Sequence, residues 1–184
     1  MKDTIQRVEV EIEGISPLLM NSPKSMLEPT PSTRKKTSSY NQKEEAEKVA
    51  YRNAKGKLYV PSTAIKGTMI GAASYKKAGK FTLRPLIASA VRVVGNELIL
   101  DKQTYDIDLR TVVIQRARVV KARPVINKWK LKFELDIDTS SIADLNIVKE
   151  NLEDAGFRVG ILDFRPQKLG EFGMFKISKW KLKK

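Results

Sequence analysis

Alternating apolar and polar residues mark two strands. Residues 4–13, TIQRVEVEIE, place Val8, Val10 and Ile12 on one side and charged residues on the other, which is the period-2 pattern of a strand with one buried face. Residues 128–138, KWKLKFELDID, repeat the pattern with aromatic and aliphatic residues on one side. Both segments are therefore predicted to lie in a sheet that is covered on one face.

Two other segments have helical spacing. Residues 61–63, Pro-Ser-Thr, begin the first helix, because a Ser or Thr oxygen can accept a hydrogen bond from a free amide of the first turn. An apolar stripe runs along 64–77 and the helix ends at Gly79. The second helix is predicted over 142–155 and closes at Gly156.

The remaining periodic segments complete the fold. Strands are predicted at 57–60, from Leu109 to Ala122 before a turn at Pro124, at 157–162 and at 174–182, with a hairpin at 84–101 around Gly95 and Asn96. The main order is the βαββαβ pattern of a ferredoxin-like fold. We predict an α+β fold in one domain over 1–184, with an antiparallel sheet, helices on one face, and the hairpin as an insertion after the first helix.

Residues 16–57 interrupt the pattern after the first strand. They are rich in Pro, Ser, Thr and Lys and have no sustained period beyond a short helical piece at 43–51, which is typical of a long loop or flexible arm. Basic residues at Lys24 and 34–36 allow this arm to order against a nucleic acid or a neighbouring subunit. The alternative is a solvated loop without a partner.

The charge of the chain indicates a polyanionic partner. There are 35 Lys and Arg against 21 Asp and Glu, with a net charge of +14, as expected for a protein that binds nucleic acid. The excess is greatest in residues 61–124, with 12 basic and 4 acidic side chains. The alternative, a basic surface that only favours solubility, would spread the charge more evenly.

The chain contains neither cysteine nor histidine. Thiolate nucleophiles, Cys-based zinc sites and Ser-His pairs are therefore excluded, and only carboxylate, Lys or Tyr chemistry remains. Two aspartate pairs, Asp106 with Asp108 and Asp136 with Asp138, lie at strand ends, where turns use Asp freely. We predict a non-catalytic protein with no cofactor and no metal.

No signal peptide and no apolar run of membrane-spanning length is apparent. The sequence therefore predicts a cytoplasmic protein without a membrane partner.

The glycine-containing segment 164–175, FRPQKLGEFGMF, combines the parts of a phosphate-binding loop. Its glycines allow close backbone approach, its basic residues bring positive charge, and its aromatic rings offer stacking surfaces. The candidate residues are Arg165, Lys168, Gly170, Phe172 and Gly173, with Phe164 and Phe175 as further rings. The alternative is a plain turn whose phenylalanines belong to the core.

Basic residues also line the predicted strand that begins near Leu109. The candidates for phosphate contact are Arg110, Arg116, Arg118, Lys121 and Arg123. Arg116 and Arg118 share one face and Lys121 and Arg123 the other, so a single flat patch cannot hold all of them. The alternative is a solvated face.

The open face of the sheet is not expected to bind nucleic acid. If the strand at 4–13 lies beside the strand at 128–138, glutamates at 9, 11 and 13 face lysines at 128, 130 and 132 and pair with them. That face would be nearly neutral and lacks outward aromatic residues for stacking.

Two segments resemble the RAMP superfamily of CRISPR-associated proteins. Residues 59–73, YVPSTAIKGTMIGAA, resemble the strand-to-helix segment with a Lys-Gly pair found in backbone subunits of effector complexes, and GEFGMF resembles their glycine-rich loop. The resemblance implies repeated copies that bind guide RNA along its backbone. It places Lys66, Gly67 and the loop at 170–173 near the RNA, with 16–57 as a finger or thumb.

The sequence departs from the superfamily in three respects. Ribonucleolytic members carry an aspartate in the insertion after the first strand, whereas no Asp occurs between Ile15 and Val60. The glycine cluster after the first strand is replaced by ISPLLMNSP, and the chain is short for a backbone subunit. We therefore expect a reduced or virus-encoded relative that does not cleave its target.

Single-stranded RNA is the predicted partner, with self-association along it or with other effector subunits. Two alternatives stay open. One is a metal-independent, guide-processing endoribonuclease that uses Tyr40, Tyr51, Lys66 or Tyr75. The other is a single-stranded DNA-binding protein of a mobile element, because backbone contacts do not specify the sugar.

Overall fold

The computed structural model describes residues 4–26, 41–114 and 116–183. The strands are β1 (Ile5–Gly14), β2 (Leu18–Leu19), β3 (Tyr59–Pro61), β4 (Lys77–Ala78), β5 (Phe81–Thr82), β6 (Val91–Val93), β7 (Glu97–Ile99), β8 (Asp106–Ile114), β9 (Ala117–Ile126), β10 (Lys130–Asp138) and β11 (Phe175–Leu182). The α-helices are α1 (Gln42–Lys48), α2 (Ser62–Ala73), α3 (Arg84–Ala90) and α4 (Leu145–Asp154).

The main sheet confirms the predicted ferredoxin-like α+β fold. Its strand order is β11-β1-β10-β6, and every neighbouring pair is antiparallel. Val8, Val10 and Ile12 of β1 are fully buried, as predicted from the alternation, and they share one core with apolar residues of α2 and α4. The longest described helix, α2, has 12 residues, and no helix in the described ranges is long and apolar enough to cross a membrane.

The hairpin predicted at 84–101 is wrong. The segment begins with α3, then β6 pairs with β10 and β7 pairs with β3, so the two strands belong to different sheets. β6 is therefore an edge strand of the main sheet and not an insertion. The apolar run LIASAVRVV does not distinguish a buried helix from a buried strand, and Pro85 in the first turn favours the helix.

The single strand predicted from Leu109 to Ala122 is also wrong, because this segment folds back on itself. β8 and β9 form a long hairpin, and Val113 pairs with Arg118 next to the turn. The turn contains no glycine or proline, and Arg116 takes the left-handed conformation with φ of 66°. The hairpin joins β2 in a second sheet of order β2-β9-β8 and is the actual insertion between the second and third strands of the core.

The strand predicted at 157–162 is replaced by a turn of π-helix, Ala155–Val159, which continues α4. Gly156 does not end the helix. Its Cα packs so closely on β11 that an added Cβ would lie 2.1 Å from the Phe175 carbonyl oxygen. A glycine is needed here for close packing, which a pattern of apolar residues cannot reveal.

The described part of the predicted arm is packed against the domain. Leu18, Leu19 and Met20 are fully buried, and β2 pairs with β9. The side chain of Asn41 caps α1 by accepting hydrogen bonds from the Lys43 and Glu44 amides. The rest of the arm, with Arg34, Lys35, Lys36 and Tyr40, lies outside the described residues.

The open face of the main sheet carries a lattice of ion pairs, as predicted. Lys132 pairs with Glu11 at 3.2 Å and Lys130 with Glu13 at 4.0 Å. The predicted partnership of Glu9 is wrong, because this residue lies opposite Glu134 and pairs with Lys179 at 2.6 Å instead. Lys128, which is also predicted to face these glutamates, precedes β10 and lies outside its pairing with β1. The cross-strand pairs offset the charges on this face.

Asp136 is the most enclosed member of this lattice, with a side chain only 5% exposed. Arg7 donates from Nε to Oδ1 at 2.6 Å and Arg92 from Nη2 to Oδ2 at 2.8 Å. The hydrogen bond from Arg7 is the main cause that holds the pKa of Asp136 below its ordinary value of 3.8.

We expect Asp136→Asn to lose stability at neutral pH and to lose less in acid. A lowered folded pKa stabilises the fold above the unfolded pKa, and this stability is lost as the pH falls through the folded pKa. The difference in urea midpoint between wild type and Asp136→Asn should therefore be full near pH 6 and shrink below about pH 4. A difference that stays constant down to about pH 3 would contradict the role of the two arginines.

Candidate nucleic-acid interface

A polar cleft of about 400 Å³ opens at the start of α2. Three separate parts of the chain meet there: the segments that flank α1, the β3-to-α2 turn, and the loop that follows the π-helical turn. The lining residues are Asn21, Tyr51, Pro61, Thr63, Ala64, Gly67, Thr68, Leu162, Asp163 and Arg165. Candidate residues from two predicted motifs, Gly67 and Arg165, are thus brought into one cleft.

The N-terminus of α2 has no side-chain cap. The predicted cap by a Ser or Thr oxygen is not formed, because Pro61 occupies the N-cap position and Ser62 and Thr63 are already helical. The Ser62 amide instead donates to the Asn96 carbonyl at 3.0 Å. An uncapped helix start presents free amides and the positive end of the helix dipole, which together favour an anion.

Arg165 supplies the cationic side of the cleft. Its Nη1 donates to the Leu162 carbonyl at 2.8 Å and its Nη2 to Gln167 Oε1 at 3.1 Å. Its buried Nε has no hydrogen-bond partner among the described residues. The guanidinium is therefore fixed in place while retaining donor capacity.

The carboxylate of Asp163, which also lines the cleft, is neutralised by the guanidinium of Arg123. Nη1 of Arg123, a largely buried residue, donates to Asp163 Oδ2. The remaining charge in the cleft comes from Arg165 and the helix dipole, so the local potential is positive.

Tyr51 also lines the cleft. Burial, together with the neighbouring Tyr59 and Asp163, raises the pKa of its phenol. The group is therefore a neutral hydrogen-bond donor at physiological pH and a poor general base.

The two residues of the Lys-Gly motif have different roles. Gly67 lines the cleft, and a Cβ built on it would meet no atom within 4 Å. Lys66 is directed at the end of α3, where its ammonium donates to the carbonyls of Ile87 at 2.7 Å, Ala88 at 2.9 Å and Val91. All three donors are used inside the protein, and burial lowers the pKa of this ammonium.

Three amides of the glycine-containing loop, which include those of both glycines, are used internally. Gly170 donates to the Arg165 carbonyl at 3.1 Å, Phe172 to the Phe164 carbonyl at 3.1 Å, and Gly173 to the Pro17 carbonyl at 2.8 Å. The two glycines are needed for close contact instead: a Cβ on Gly170 would lie 1.8 Å from the Phe164 carbonyl oxygen. These three amides are therefore not free to bind a ligand.

The three rings of the loop also separate. Phe175 is only 1% exposed and packs edge-on against Trp129 with ring centroids 6.4 Å apart, so it belongs to the core. Phe164 and Phe172 lie outside the core beside a second groove, and Lys168 lies exposed in a short 3-10 turn. The core alternative thus holds for Phe175, whereas Phe164 and Phe172 remain candidates for stacking.

The basic residues of the β8–β9 hairpin fall into two groups. Arg110 is paired with Asp108 at 2.8 Å, Lys121 with Glu45 at 3.5 Å, and Arg123 with Asp163. Arg116 and Arg118 lie exposed next to the hairpin turn, and neither forms an ion pair with a described residue. Uncompensated charge on the hairpin is thus concentrated at its tip.

The four aspartates considered as metal ligands have other partners. Asp106 accepts from Asn127 at 2.8 Å, Asp108 pairs with Arg110, and Asp136 is held by its two arginines. Asp138 caps a turn by accepting hydrogen bonds from the residues at 140 and 141. Within the described ranges, no group of three acidic side chains is placed to hold a metal ion.

Sequence reasoning missed Asn21, Thr63 and Asp163 as members of the cleft. Thr63 lies inside the recognised 59–73 motif and was assigned only to the helix start. Asn21 and Asp163 carried no local signal, since they reach the cleft only through the packing of β2 and of the loop after the π-helical turn.

No family model matches the sequence, and no curated protein matches it. One chain in the cryo-EM structure of the Type III-B Cmr-beta bound to cognate target RNA is similar over 98% of this chain, with a TM-score of 0.65 and 12% sequence identity. The chain therefore shares the fold of that Cmr-beta chain. It spans 61% of the length of that Cmr-beta chain.

Two further solved structures are similar at lower TM-scores. Cmr6 from Pyrococcus furiosus has a TM-score of 0.45 and 9% identity, with 96% of this chain and 99% of Cmr6 covered. A chain of a CRISPR RNA-guided surveillance complex has a TM-score of 0.39 and 11% identity, with 92% and 66% covered. The similarity in fold is therefore taken from the Cmr-beta chain alone.

Proposed function

We propose that this protein is a non-catalytic subunit of a CRISPR-associated ribonucleoprotein and binds the backbone of single-stranded RNA in the α2 cleft. The observation that carries the proposal is the position of the Arg165 guanidinium in the same cleft as the uncapped N-terminus of α2. A phosphate is the anion that suits both groups.

The shape and polarity of the cleft support RNA as the ligand. Asn21, Tyr51 and Thr63 add neutral donors and acceptors around the cationic side, and such groups can recognise a 2′-hydroxyl next to a phosphate. The Type III-B Cmr-beta that contains the similar chain is bound to cognate target RNA, and this supports the same class of ligand. Single-stranded DNA would lack the 2′-hydroxyl contact.

The proposal includes self-association along the RNA and a cytoplasmic location. The exposed Arg116 and Arg118 lie at the tip of the β8–β9 hairpin, which belongs to the second sheet. They are available to neighbouring RNA.

The endoribonuclease alternative receives less support. Lys66 uses its three donors within the protein, and the raised pKa of Tyr51 disfavours proton abstraction. Tyr75 lies just beyond the C-terminal end of α2, away from the cleft at the N-terminal end.

Fluorescence anisotropy over a salt series tests the proposal with labelled single-stranded RNA, DNA of the same sequence, and a duplex. We expect the RNA to bind most tightly, with an affinity that falls as salt rises because phosphates release counterions. Equal binding of RNA and DNA would favour the mobile-element alternative. An absence of binding at moderate salt, or cleavage of the RNA without metal, would overturn the proposal.

Arg165→Gln is expected to weaken RNA binding by roughly 10-fold, because a charge-assisted hydrogen bond contributes about 1.5–3 kcal/mol. Arg158→Gln is the matched control, since Arg158 pairs with Asp154 and does not line the cleft. Both variants are first compared with wild type by thermal unfolding. Equal losses of affinity in the two variants would show that net charge, and not the cleft, determines binding.

A further inference from the structure

We propose that a second groove, on the other side of the same loop, binds one unpaired nucleobase of the RNA by stacking. This inference depends on the proposed function, because it assigns a base-binding role next to the phosphate-binding cleft. The groove has a volume of about 390 Å³ and is lined by Ser16, Pro17, Arg110, Phe164, Leu169, Gly170, Glu171 and Phe172.

Three flat groups form one cluster along this groove. The rings of Phe164 and Phe172 have centroids 6.0 Å apart and planes tilted by 38°. The guanidinium carbon of Arg110 lies 4.6 Å from the Phe172 centroid and 5.5 Å from the Phe164 centroid. Aromatic rings and arginine planes are the surfaces on which proteins stack unpaired bases.

The charge of Arg110 is already compensated. Its Nε donates to both carboxylate oxygens of Asp108, at 2.8 and 3.0 Å. A guanidinium that is neutralised by a carboxylate attracts a phosphate weakly, whereas its plane still offers a stacking surface. The groove therefore suits a base better than it suits a phosphate.

The groove also leaves apolar surface exposed. Phe164 is 36% exposed and Leu169 is 95% exposed. Both residues have the left-handed conformation, with φ of 49° and 60°, which is uncommon for bulky side chains. Backbone conformations of this kind are kept where the surrounding structure holds a side chain in a particular place.

The groove and the cleft are lined by consecutive residues of the loop. Phe164 lines the groove and Arg165 lines the cleft, so an aromatic ring and a cation belong to neighbouring residues of the loop. Phosphate and base are likewise parts of one nucleotide. A phosphate at Arg165 thus allows an adjoining base to reach the Arg110–Phe172 surface, and stacking on that surface does not require a particular base.

Binding of two RNAs of equal length tests this proposal. One carries normal bases and the other has an abasic ribose at every position. We expect wild type to prefer the base-bearing RNA by roughly 5- to 100-fold, as stacking of a base on an aromatic side chain allows. Phe172→Leu keeps the apolar volume but removes the ring, and should weaken only the base-bearing complex, so that the preference falls.

Arg110→Lys is a second variant, which keeps the charge and removes the plane, and it should reduce the preference in the same direction. Phe157→Leu is the control, because this exposed ring lies on the π-helical turn and outside the groove. Arg165→Gln should weaken both complexes equally and leave the preference unchanged.

The outcomes separate the two proposals. If Phe172→Leu and Arg110→Lys bind both RNAs as wild type does, or weaken both equally, the stacking site is wrong while the cleft can stand. If wild type binds neither RNA, the proposed function is wrong as well.

Discussion

Replacing Gly170 with alanine is expected to lower the free energy of unfolding by about 3 kcal/mol, near the upper end of the usual cost of overpacking. The added methyl would lie 1.8 Å from the Phe164 carbonyl oxygen, which is a backbone atom and cannot rotate away. Relief requires the turn between Phe164 and Phe172 to open, which breaks the hydrogen bond between these two residues. Urea unfolding, monitored by tryptophan fluorescence, measures the loss.

Gly67→Ala is the matched control for this experiment. Gly67 lies within α2, and its new methyl would meet no atom within 4 Å, so the variant should be more stable than wild type by up to about 1 kcal/mol. The same methyl enters the cleft and should weaken RNA binding. If Gly170→Ala is as stable as Gly67→Ala, the loop does not pack as described.

Replacing Lys66 with methionine is expected to lower the free energy of unfolding by about 2 kcal/mol, because partly buried carbonyls lose their donor. The ammonium holds the end of α3 and the start of β6 to α2 through the carbonyls of Ile87, Ala88 and Val91. Methionine retains the aliphatic stem and removes only the charge and the donors. The measurement is urea unfolding near neutral pH.

Lys128→Met is the control for the loss of one positive charge, since Lys128 is exposed and precedes β10. At temperatures where all proteins are folded, Lys66→Met and Lys128→Met should bind RNA with similar affinity. A Lys66→Met protein that unfolds like wild type but loses RNA binding well beyond the control would show that this lysine contacts RNA directly.

The Lys66 and Gly67 variants distinguish structural from ligand-binding roles within one motif. Lys66 and Gly67 are adjacent in sequence, yet a helix directs consecutive side chains about 100° apart. One residue therefore reaches α3 while the other lines the cleft. A resemblance that rests on a Lys-Gly pair identifies the segment but does not say which residue contacts the ligand.

The candidate site shows a similar division between chain position and role. Five basic residues of the hairpin are candidates for phosphate contact on sequence grounds, and three of them are neutralised by carboxylates. Arg110 pairs with Asp108 of its own strand, whereas the partners of Lys121 and Arg123 come from other parts of the chain. Asp163 and Glu45 lie 40 and more residues from their partners. Charge counts along a strand cannot anticipate such pairing.

The sequence by itself determined the elements whose signal is local. The alternation in β1 and β10 predicted their buried faces, and the apolar stripes located α4 and the start of α2 within a few residues. The predicted end of the first helix at Gly79 is wrong, because α2 ends at Ala73 and residues 77–78 form β4, which pairs with β5. The pairing of Glu11 with Lys132 followed from that alternation and the ferredoxin-like order. A periodic pattern is sufficient here because burial on one face depends on the spacing of neighbouring residues alone.

Only the tertiary structure decided how the other segments are used. β6 is the edge strand because it pairs with the side of β10 that β1 does not occupy. The β8–β9 hairpin turns at Arg116, where no glycine or proline marks the turn in the sequence. The cleft exists because residues near 21, 63 and 165 pack against one core. Its position depends on contacts between distant segments of the chain, and the local spacing of apolar and polar residues does not reveal those contacts.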